Sequence, residues 1–269
     1  MLRARSAVAA LVACGRVTAA LAAALAAGCA GEPSRAAAPA AQAAGTLRVE
    51  GSDPADVADL EPLLRAGMTA VSAALGRPWV EPLTATIVPD RQAFTASFPP
   101  EYGLTETQCW MVAWAVADRL TVLSPRAWRT EACEHDPDDR ESLTLLLRHE
   151  LVHALHGQHN PTRDFTGMEE ELGWFCEGLA TFASGQLEQE HAGDARQALA
   201  AGVGPTQLAA AWSGRYRYGV CGSLVAYLDQ RCGAAKLREM HAATTLPQLL
   251  AIAGLSEQEL LAAWADWAR

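Results

Sequence analysis

Hydrophobic and polar positions follow strand-like and helix-like periods in the first half of the chain. Short stretches alternate between apolar and polar residues as strands do, and one longer stretch repeats its apolar residues at helical spacing. The predicted strands are Thr46 to Gly51, Leu83 to Val88, and a hairpin of Trp110 to Val116 and Arg119 to Leu123; the predicted helix is Asp56 to Leu75. We therefore expect a small mixed β-sheet subdomain in this half.

From residue 141 onward the helical period dominates, and glycine and proline fall between the periodic segments. The predicted helices are Glu141 to Gly157, Glu169 to Leu187, Thr206 to Trp212, Tyr218 to Arg231, Ala234 to His241, Leu246 to Ala253 and Ser256 to Ala268. The predicted fold class is α+β, with a sheet-containing half over residues 46–140, a mainly helical half over residues 141–269, and a cleft where the halves meet.

The N-terminal residues differ in composition from the rest of the chain. Arg3 and Arg5 precede an alanine-rich apolar run that ends on small residues, which is typical of an export signal and is too short and alanine-rich for a membrane span. The sequence Leu25-Ala26-Ala27-Gly28-Cys29 resembles a bacterial lipobox, although Ala26 stands where that motif prefers leucine. We predict a signal peptide over residues 1–28, lipidation of Cys29 and a flexible tether over residues 29–45.

These features predict an exported protein, anchored by lipid to the cell membrane on its extracytoplasmic side. Ordinary signal cleavage, giving a secreted or periplasmic soluble protein, is the alternative.

The charge balance excludes a nucleic-acid-binding protein. The chain has 21 basic and 31 acidic side chains, which give a net charge of −10, and it has no cluster of Lys and Arg. Such a surface repels phosphate backbones, so we expect no nucleic-acid partner.

Five cysteines remain once Cys14 in the signal and Cys29 are set aside: Cys109, Cys133, Cys176, Cys221 and Cys232. An oxidising compartment favours pairing, but an odd number leaves one thiol over. On one continuous helix Cys221 and Cys232 lie about 16 Å apart, too far for a disulfide. The open pairings are Cys109 with Cys133, and Cys176 with either Cys221 or Cys232.

The helix predicted over Glu141 to Gly157 carries the string His149-Glu150-Leu151-Val152-His153. Histidines four residues apart lie on one helix face, where both imidazoles can reach one zinc ion. Glu150 lies about 100° round the helix from His149, so it can contact a metal-activated water without being a ligand, and can act as its general base. Histidine pairs with this spacing also occur on solvated helix faces and in packed cores. A zinc site therefore requires a third ligand elsewhere in the chain.

Two residues are candidates for the third ligand. His159 has the spacing of the metzincin proteases, but His156 stands where that family has glycine, and the glycine comes one residue late, at Gly157. The other candidate, Glu177, lies in the sequence Trp174-Phe175-Cys176-Glu177-Gly178-Leu179-Ala180. We favour Glu177, and assign His156 and His159 to the end of the motif helix, capping or solvated, and His135 to an acidic solvated loop.

The sequence around Glu177 resembles the third-ligand helix of the gluzincin zinc metallopeptidases, specifically the peptidase MA-like group. The resemblance continues through Tyr218 to Leu228 and Gly233 to Leu237, and covers roughly residues 80–268. It implies a zincin-like metallopeptidase domain over residues 46–269, in which His149, His153 and Glu177 bind one Zn²⁺ ion.

The same resemblance implies roles for other parts of the domain. Glu150 would be the general base, and the edge of the predicted hairpin would hold an extended peptide. Tyr218 would donate to the developing oxyanion, although Tyr216 is equally close in sequence.

Two functions are consistent with these features. The first is a zinc-dependent hydrolase that cleaves peptide bonds of a peptide or protein substrate. The second is a lipid-anchored zinc-binding protein with a binding or assembly role and little turnover. The presence of Glu150 favours the enzyme, because a structural zinc site needs only ligands.

Overall fold

The computed structural model describes residues 45–269. The predicted signal peptide, the lipidation of Cys29 and all but the last residue of the predicted tether lie outside the described residues. Within residues 45–269, no helix is both long and apolar enough to cross a membrane.

The described part of the chain contains a four-stranded mixed sheet, as predicted. Its strands are β1 (Leu47–Gly51), β2 (Leu83–Val88), β3 (Ala113–Val116) and β4 (Arg119–Leu123). They lie in the order β1-β2-β4-β3, with β1, β2 and β4 parallel and β3 antiparallel to β4. The two-residue turn at Ala117 and Asp118 joins β3 to β4, and Ala117 has a φ of 37°. The hairpin therefore leaves β3 at one edge of the sheet.

Strand β3 begins three residues later than the sequence predicts. The predicted strand started at Trp110, but Cys109 and Trp110 lie in a turn that the bond from the Met111 N–H to the Gln108 carbonyl closes. Cys109 also forms a disulfide with Cys133, which ties this turn to the segment that follows β4. The disulfide confirms one of the two open pairings.

Helices connect the strands of the first half and make up most of the second half of the described chain. They are α1 (Pro54–Leu75), α2 (Arg91–Ala96), α3 (Pro125–Glu131), α4 (Arg140–His159), α5 (Glu169–Ser184), α6 (Gln186–Gln189), α7 (Asp194–Ala200), α8 (Arg217–Cys232), α9 (Ala234–Met240), α10 (Leu246–Ala253) and α11 (Glu257–Ala268). The α+β prediction is confirmed.

Four of these helices are absent from the sequence prediction as separate elements, and one predicted helix is wrong. Helices α2, α3, α6 and α7 have at most seven residues each, too few for a clear apolar period. Ser124 and Pro125 looked like the end of the hairpin, but they begin α3, where the Ser124 hydroxyl accepts from the Arg126 N–H. The helix predicted over Thr206 to Trp212 is only a 3₁₀ turn, Leu208–Ala210.

Helix α4 is the central element of the fold, because it contacts α1, α5 and β3. Asp139 caps its first turn by accepting from the N–H groups of Glu141 and Ser142. Its C-terminal end packs closely on the hairpin turn: a Cβ atom at Gly157 would lie 2.4 Å from the Arg163 carbonyl oxygen and 2.7 Å from the Ala117 nitrogen. Gly157 therefore lets the motif helix approach the sheet.

Neither of the other open pairings, Cys176 with Cys221 or with Cys232, forms, since all three are free thiols. Cys221 and Cys232 lie on the continuous helix α8, as expected. At the crossing of α5 and α8, the backbone carbonyl of Cys221 approaches Gly178. The close contact between the two helices is thus made by backbone, and Cys176 stays reduced beside it.

Candidate active site

The structure brings His149, His153 and Glu177 together. The two histidines lie one turn apart on α4, and their Nε2 atoms are 3.1 Å from each other. Glu177, in the middle of α5, places Oε2 3.4 Å from Nε2 of His149 and Oε1 3.7 Å from Nε2 of His153. All three side chains are buried. One ligand atom from each residue lies within 4.8 Å of the others.

These distances fit a zinc ion. Tetrahedral zinc with bonds of about 2.0 to 2.1 Å holds its ligand atoms roughly 3.4 Å apart. The two imidazole nitrogens are 3.1 Å apart, and they lie 3.4 and 3.7 Å from the two oxygens of the Glu177 carboxylate. Two imidazole nitrogens and one carboxylate oxygen form a donor set of catalytic zinc sites, which keep a fourth position open. The residues present therefore suit the ion in both chemistry and geometry.

The three side chains strongly affect one another's protonation. Burial works to raise the pKa of Glu177, but His153, His149 and Arg217 lower it below its usual value. Burial lowers the pKa of His153 to about 4. His149 is equally enclosed, yet Glu177 raises its pKa because the carboxylate is nearer to this ring. Glu177 is therefore ionised and His153 neutral at neutral pH, which are the forms that bind metal.

Glu150 follows His149 on α4 and lines the same cavity as the three candidate ligands. Burial raises its pKa to about 7, with Glu177 adding to the increase and His149 opposing it. A carboxyl group with this pKa can both accept and release a proton near neutral pH, as a general base and acid must.

A cleft of about 570 Å³ contains these residues. Strand β3 forms one wall, and residues of α4, α5 and α8 form the other. Apolar residues before and along β3 contribute to the wall, including Trp110, Met111 and Trp114. The cleft thus lies where the sheet-containing and helical halves meet, as the sequence predicted.

The rest of the cleft lining is strongly acidic. Besides Glu150 and Glu177 it includes the carboxylates of Glu134, Asp136, Asp139, Asp164, Glu169 and Glu190. Among the cleft residues that the structure describes, Arg217 is the single arginine or lysine. The cavity therefore has a negative electrostatic potential.

Tyr218 lies in the first turn of α8 and lines the cleft, with its ring centroid 6.2 Å from that of His149. Trp212 and His191 pack on its ring at 4.7 and 5.3 Å. Burial raises its pKa, so the phenol stays protonated. Tyr216 is not among the residues lining the cleft; the Arg215 guanidinium lies over its ring. Of the two tyrosines, therefore, Tyr218 lines the cleft and Tyr216 does not. The catalytic role of Tyr218 stays a prediction.

The other histidines lie elsewhere. His159 is hydrogen-bonded through Nε2 to the Pro78 carbonyl at 2.8 Å and takes no part in the group around Glu177. The prediction that His156 is solvated is wrong, because its ring is buried against His241 and Phe165. His135 is half-buried, contacts the Trp110 carbonyl through Nε2 and lines the cleft. A plain solvated loop is therefore an incorrect description of His135.

Sequence reasoning missed Gln186, whose side chain contacts His149. The predicted helix ran from Glu169 to Leu187 without interruption. In the structure Gly185, with a φ of 94°, ends α5, and α6 begins at Gln186. A glycine in this conformation is a common helix C-terminus, and Gly185 was the signal that marked the break.

Comparison with known proteins supports this interpretation. Residues 128–220, about a third of the chain, match the collagenase family Peptidase_M9. No curated protein sequence matches the chain. The matched segment runs from α3 into α8 and contains His149, Glu150, His153 and Glu177. The match confirms the gluzincin prediction in its coarse form, whereas the finer resemblance to the peptidase MA-like group stays a prediction. Over residues 128–220, therefore, the chain is similar to the collagenase family of zinc metallopeptidases, and this segment carries an HExxH motif and a downstream glutamate.

Proposed function

We propose that the protein cleaves peptide bonds in peptide or protein substrates, using a single zinc ion held by His149, His153 and Glu177. The observation that carries this proposal is the convergence of the three ligand atoms within 4.8 Å in a cleft that also contains Glu150. A structural zinc site would need the ligands alone. When bound, zinc supplies Lewis acidity and lowers the pKa of a coordinated water.

Glu150 is the proton carrier in this proposal. Its carboxylate accepts a proton from the attacking water and later passes it to the leaving amine. In the metal-free protein burial raises the pKa of Glu150 to about 7, and the charge of a bound zinc ion would favour the ionised form that accepts a proton. Tyr218 lies across the cleft with its hydroxyl protonated, so it is available to donate a hydrogen bond to the carbonyl oxygen as negative charge develops there.

Strand β3 positions the substrate. In the sheet of the described chain, β3 pairs with β4 alone, and its other edge faces the cleft. An extended peptide can add to such an edge through backbone hydrogen bonds. The collagenase family name also implies a protein substrate. We infer that the peptide lies along β3 with its scissile bond between Glu150 and Tyr218.

The acidic lining favours basic substrates. Six carboxylates outside the catalytic group face the cleft, against one guanidinium. A cleft of one sign concentrates ligands of the opposite sign and raises their association rates. The proposed substrate is therefore a peptide segment with lysine or arginine near the cleaved bond.

The proposed place of action is outside the cytoplasm. This rests on the predicted export signal and on the predicted lipidation of Cys29. The disulfide between Cys109 and Cys133 agrees with an oxidising compartment. If Cys29 is lipidated, the protein is anchored at the membrane surface; if it is not, the protein is soluble outside the cytoplasm.

The experiment compares zinc-loaded full-length wild type with Glu150→Gln on a library of peptides, with products identified by mass spectrometry. We expect defined cleavage by wild type and a loss of at least a hundredfold in the variant, at equal zinc content. Glu141→Gln, in the exposed first turn of the same helix, is the matched control and should cleave normally. A wild type that holds zinc but cleaves nothing would instead support a zinc-binding protein without turnover.

A further inference from the structure

We infer that Gln186 is a positioning residue for the zinc site, which holds His149 in the tautomer that binds metal. The inference rests on the proposed zinc site and adds a residue outside the three ligands. Its basis is a hydrogen bond of 2.7 Å between Nδ1 of His149 and Oε1 of Gln186.

The contact determines which ring nitrogen of His149 carries the proton. An amide oxygen can only accept a hydrogen bond, so Nδ1 must be the donor. A neutral imidazole has one N–H group, and with that group at Nδ1 the lone pair is at Nε2. Nε2 is the atom that faces His153 and Glu177. Gln186 therefore selects the form of His149 whose free lone pair points into the metal site.

The local backbone explains why Gln186 is in place to do this. Gly185 adopts a left-handed conformation that ends α5, and a Cβ atom there would lie 3.5 Å from Cδ2 of Leu145 on α4. The turn thus brings the first residue of α6 against the motif helix. Ser184 contacts Gln186 twice: its hydroxyl oxygen accepts from the Gln186 N–H at 3.3 Å and lies 3.4 Å from Oε1, which shares the hydroxyl proton with the Thr181 carbonyl at 3.3 Å.

Gln186 is a neutral acceptor at a position where a carboxylate would be stronger. A carboxylate would form a charge-assisted bond to Nδ1 and make Nε2 a better ligand. This difference allows a test in both directions. Loss of the acceptor should weaken zinc binding, and replacement by glutamate should preserve or tighten it.

The test measures the zinc dissociation constant of the full-length protein by competition with a chromogenic chelator, without any substrate. We expect Gln186→Leu to bind zinc about ten- to a hundredfold more weakly than wild type, because the loss of such partners has effects of this size. Gln186→Glu should bind at least as tightly as wild type. Gln189→Leu, on the same short helix with an exposed side chain, is the matched control and should be unchanged.

Thermal unfolding of the metal-free variants separates positioning from packing. If Gln186→Leu is unstable, the zinc affinity of Gln186→Glu relative to that of wild type still tests the inference. An affinity of Gln186→Leu within twofold of wild type, or a Gln186→Glu variant as weak as Gln186→Leu, would overturn the inference. Because no substrate is involved, a protein that binds zinc in this pattern yet cleaves no peptide would contradict the proposed function alone.

Discussion

Gly178 lies directly against the carbonyl group of Cys221, since a Cβ atom at residue 178 would be 2.4 Å from that oxygen. The contact joins α5 to α8 one residue after Glu177 and three residues after Tyr218. The separation of the ligand helix from the tyrosine helix therefore depends on the absence of a side chain at residue 178.

Gly178→Ala should force these helices apart. Alanine favours a helix by about 1 kcal/mol over glycine, but the clash with backbone should outweigh that gain and lower the free energy of unfolding by roughly 1 to 3 kcal/mol. Zinc affinity should fall as well, because Glu177 moves with α5. Urea unfolding and chelator competition measure the two effects. A variant as stable as wild type would show that the helices do not need this close contact.

The disulfide between Cys109 and Cys133 should stabilise the fold and hold one wall of the cleft. The cysteines are 24 residues apart in sequence, and closing a loop of that length stabilises by about 3.5 kcal/mol. Replacing both with serine should lower the free energy of unfolding by about this amount. The substrate KM should rise more than kcat falls, because Trp110 and His135 beside the disulfide line the cleft.

Cys232→Ser is the control for this pair, since Cys232 is a free, half-buried thiol. Its unfolding free energy should stay within about 0.5 kcal/mol of wild type. If the double serine variant had the same unfolding free energy as wild type, the claim that the disulfide stabilises the fold would be wrong.

His241 should make the metal-free protein less stable in acid. Burial lowers its pKa to about 3, and electrostatic interactions with Arg77, His159 and Arg238 add to the decrease. In the unfolded chain the pKa is about 6.5. Between these values the unfolded state binds a proton that the folded state does not, so stability is fully present above pH 6.5 and falls as the pH decreases toward 3.

The measurement is the free energy of unfolding at pH 5.5 and 4.5 in the presence of a chelator, for wild type and His241→Leu. The slope of the variant should be smaller by up to about 1.4 kcal/mol per pH unit. The difference between the two slopes isolates His241 from the other buried histidines. Equal slopes would mean that the ring of His241 becomes protonated in the folded state near its ordinary pKa.

The acidic cleft should discriminate between peptides by charge. For two peptides that differ only by lysine or glutamate next to the cleaved bond, kcat/KM should favour lysine by about tenfold at low ionic strength. The preference should shrink in high salt. Asp136→Asn should reduce it, whereas Glu188→Gln, outside the cleft lining and exposed, should leave it intact. A preference for the glutamate peptide would contradict the proposed substrate class.

The sequence predicted the part of the site that depends on local geometry. His149 and His153 share a helix face because they are four residues apart, and that spacing is readable without a structure. The long helices and the hairpin also follow from period and punctuation. Glu177 was found through its Trp174-to-Ala180 context, because no local period relates a residue on α5 to a residue on α4.

Other features depend on contacts between distant segments. His156 is buried because its ring packs against His241, 85 residues later. The acidic lining combines residues from the loop before α4, from the segment before α5 and its first residue, and from the residue that follows α6. Gln186 reaches His149 only because Gly185 turns the chain. Periodicity within one segment carries no information about contacts between distant segments.

The most direct test of the central claim is the zinc content of purified full-length wild type, Glu177→Ala and His159→Ala, measured by metal analysis after dialysis against a moderate chelator. The three-ligand account predicts one zinc per chain in wild type and in His159→Ala, since His159 contacts Pro78 and not the metal group, and near-complete loss in Glu177→Ala. Full retention of zinc by Glu177→Ala, with loss in His159→Ala, would contradict it.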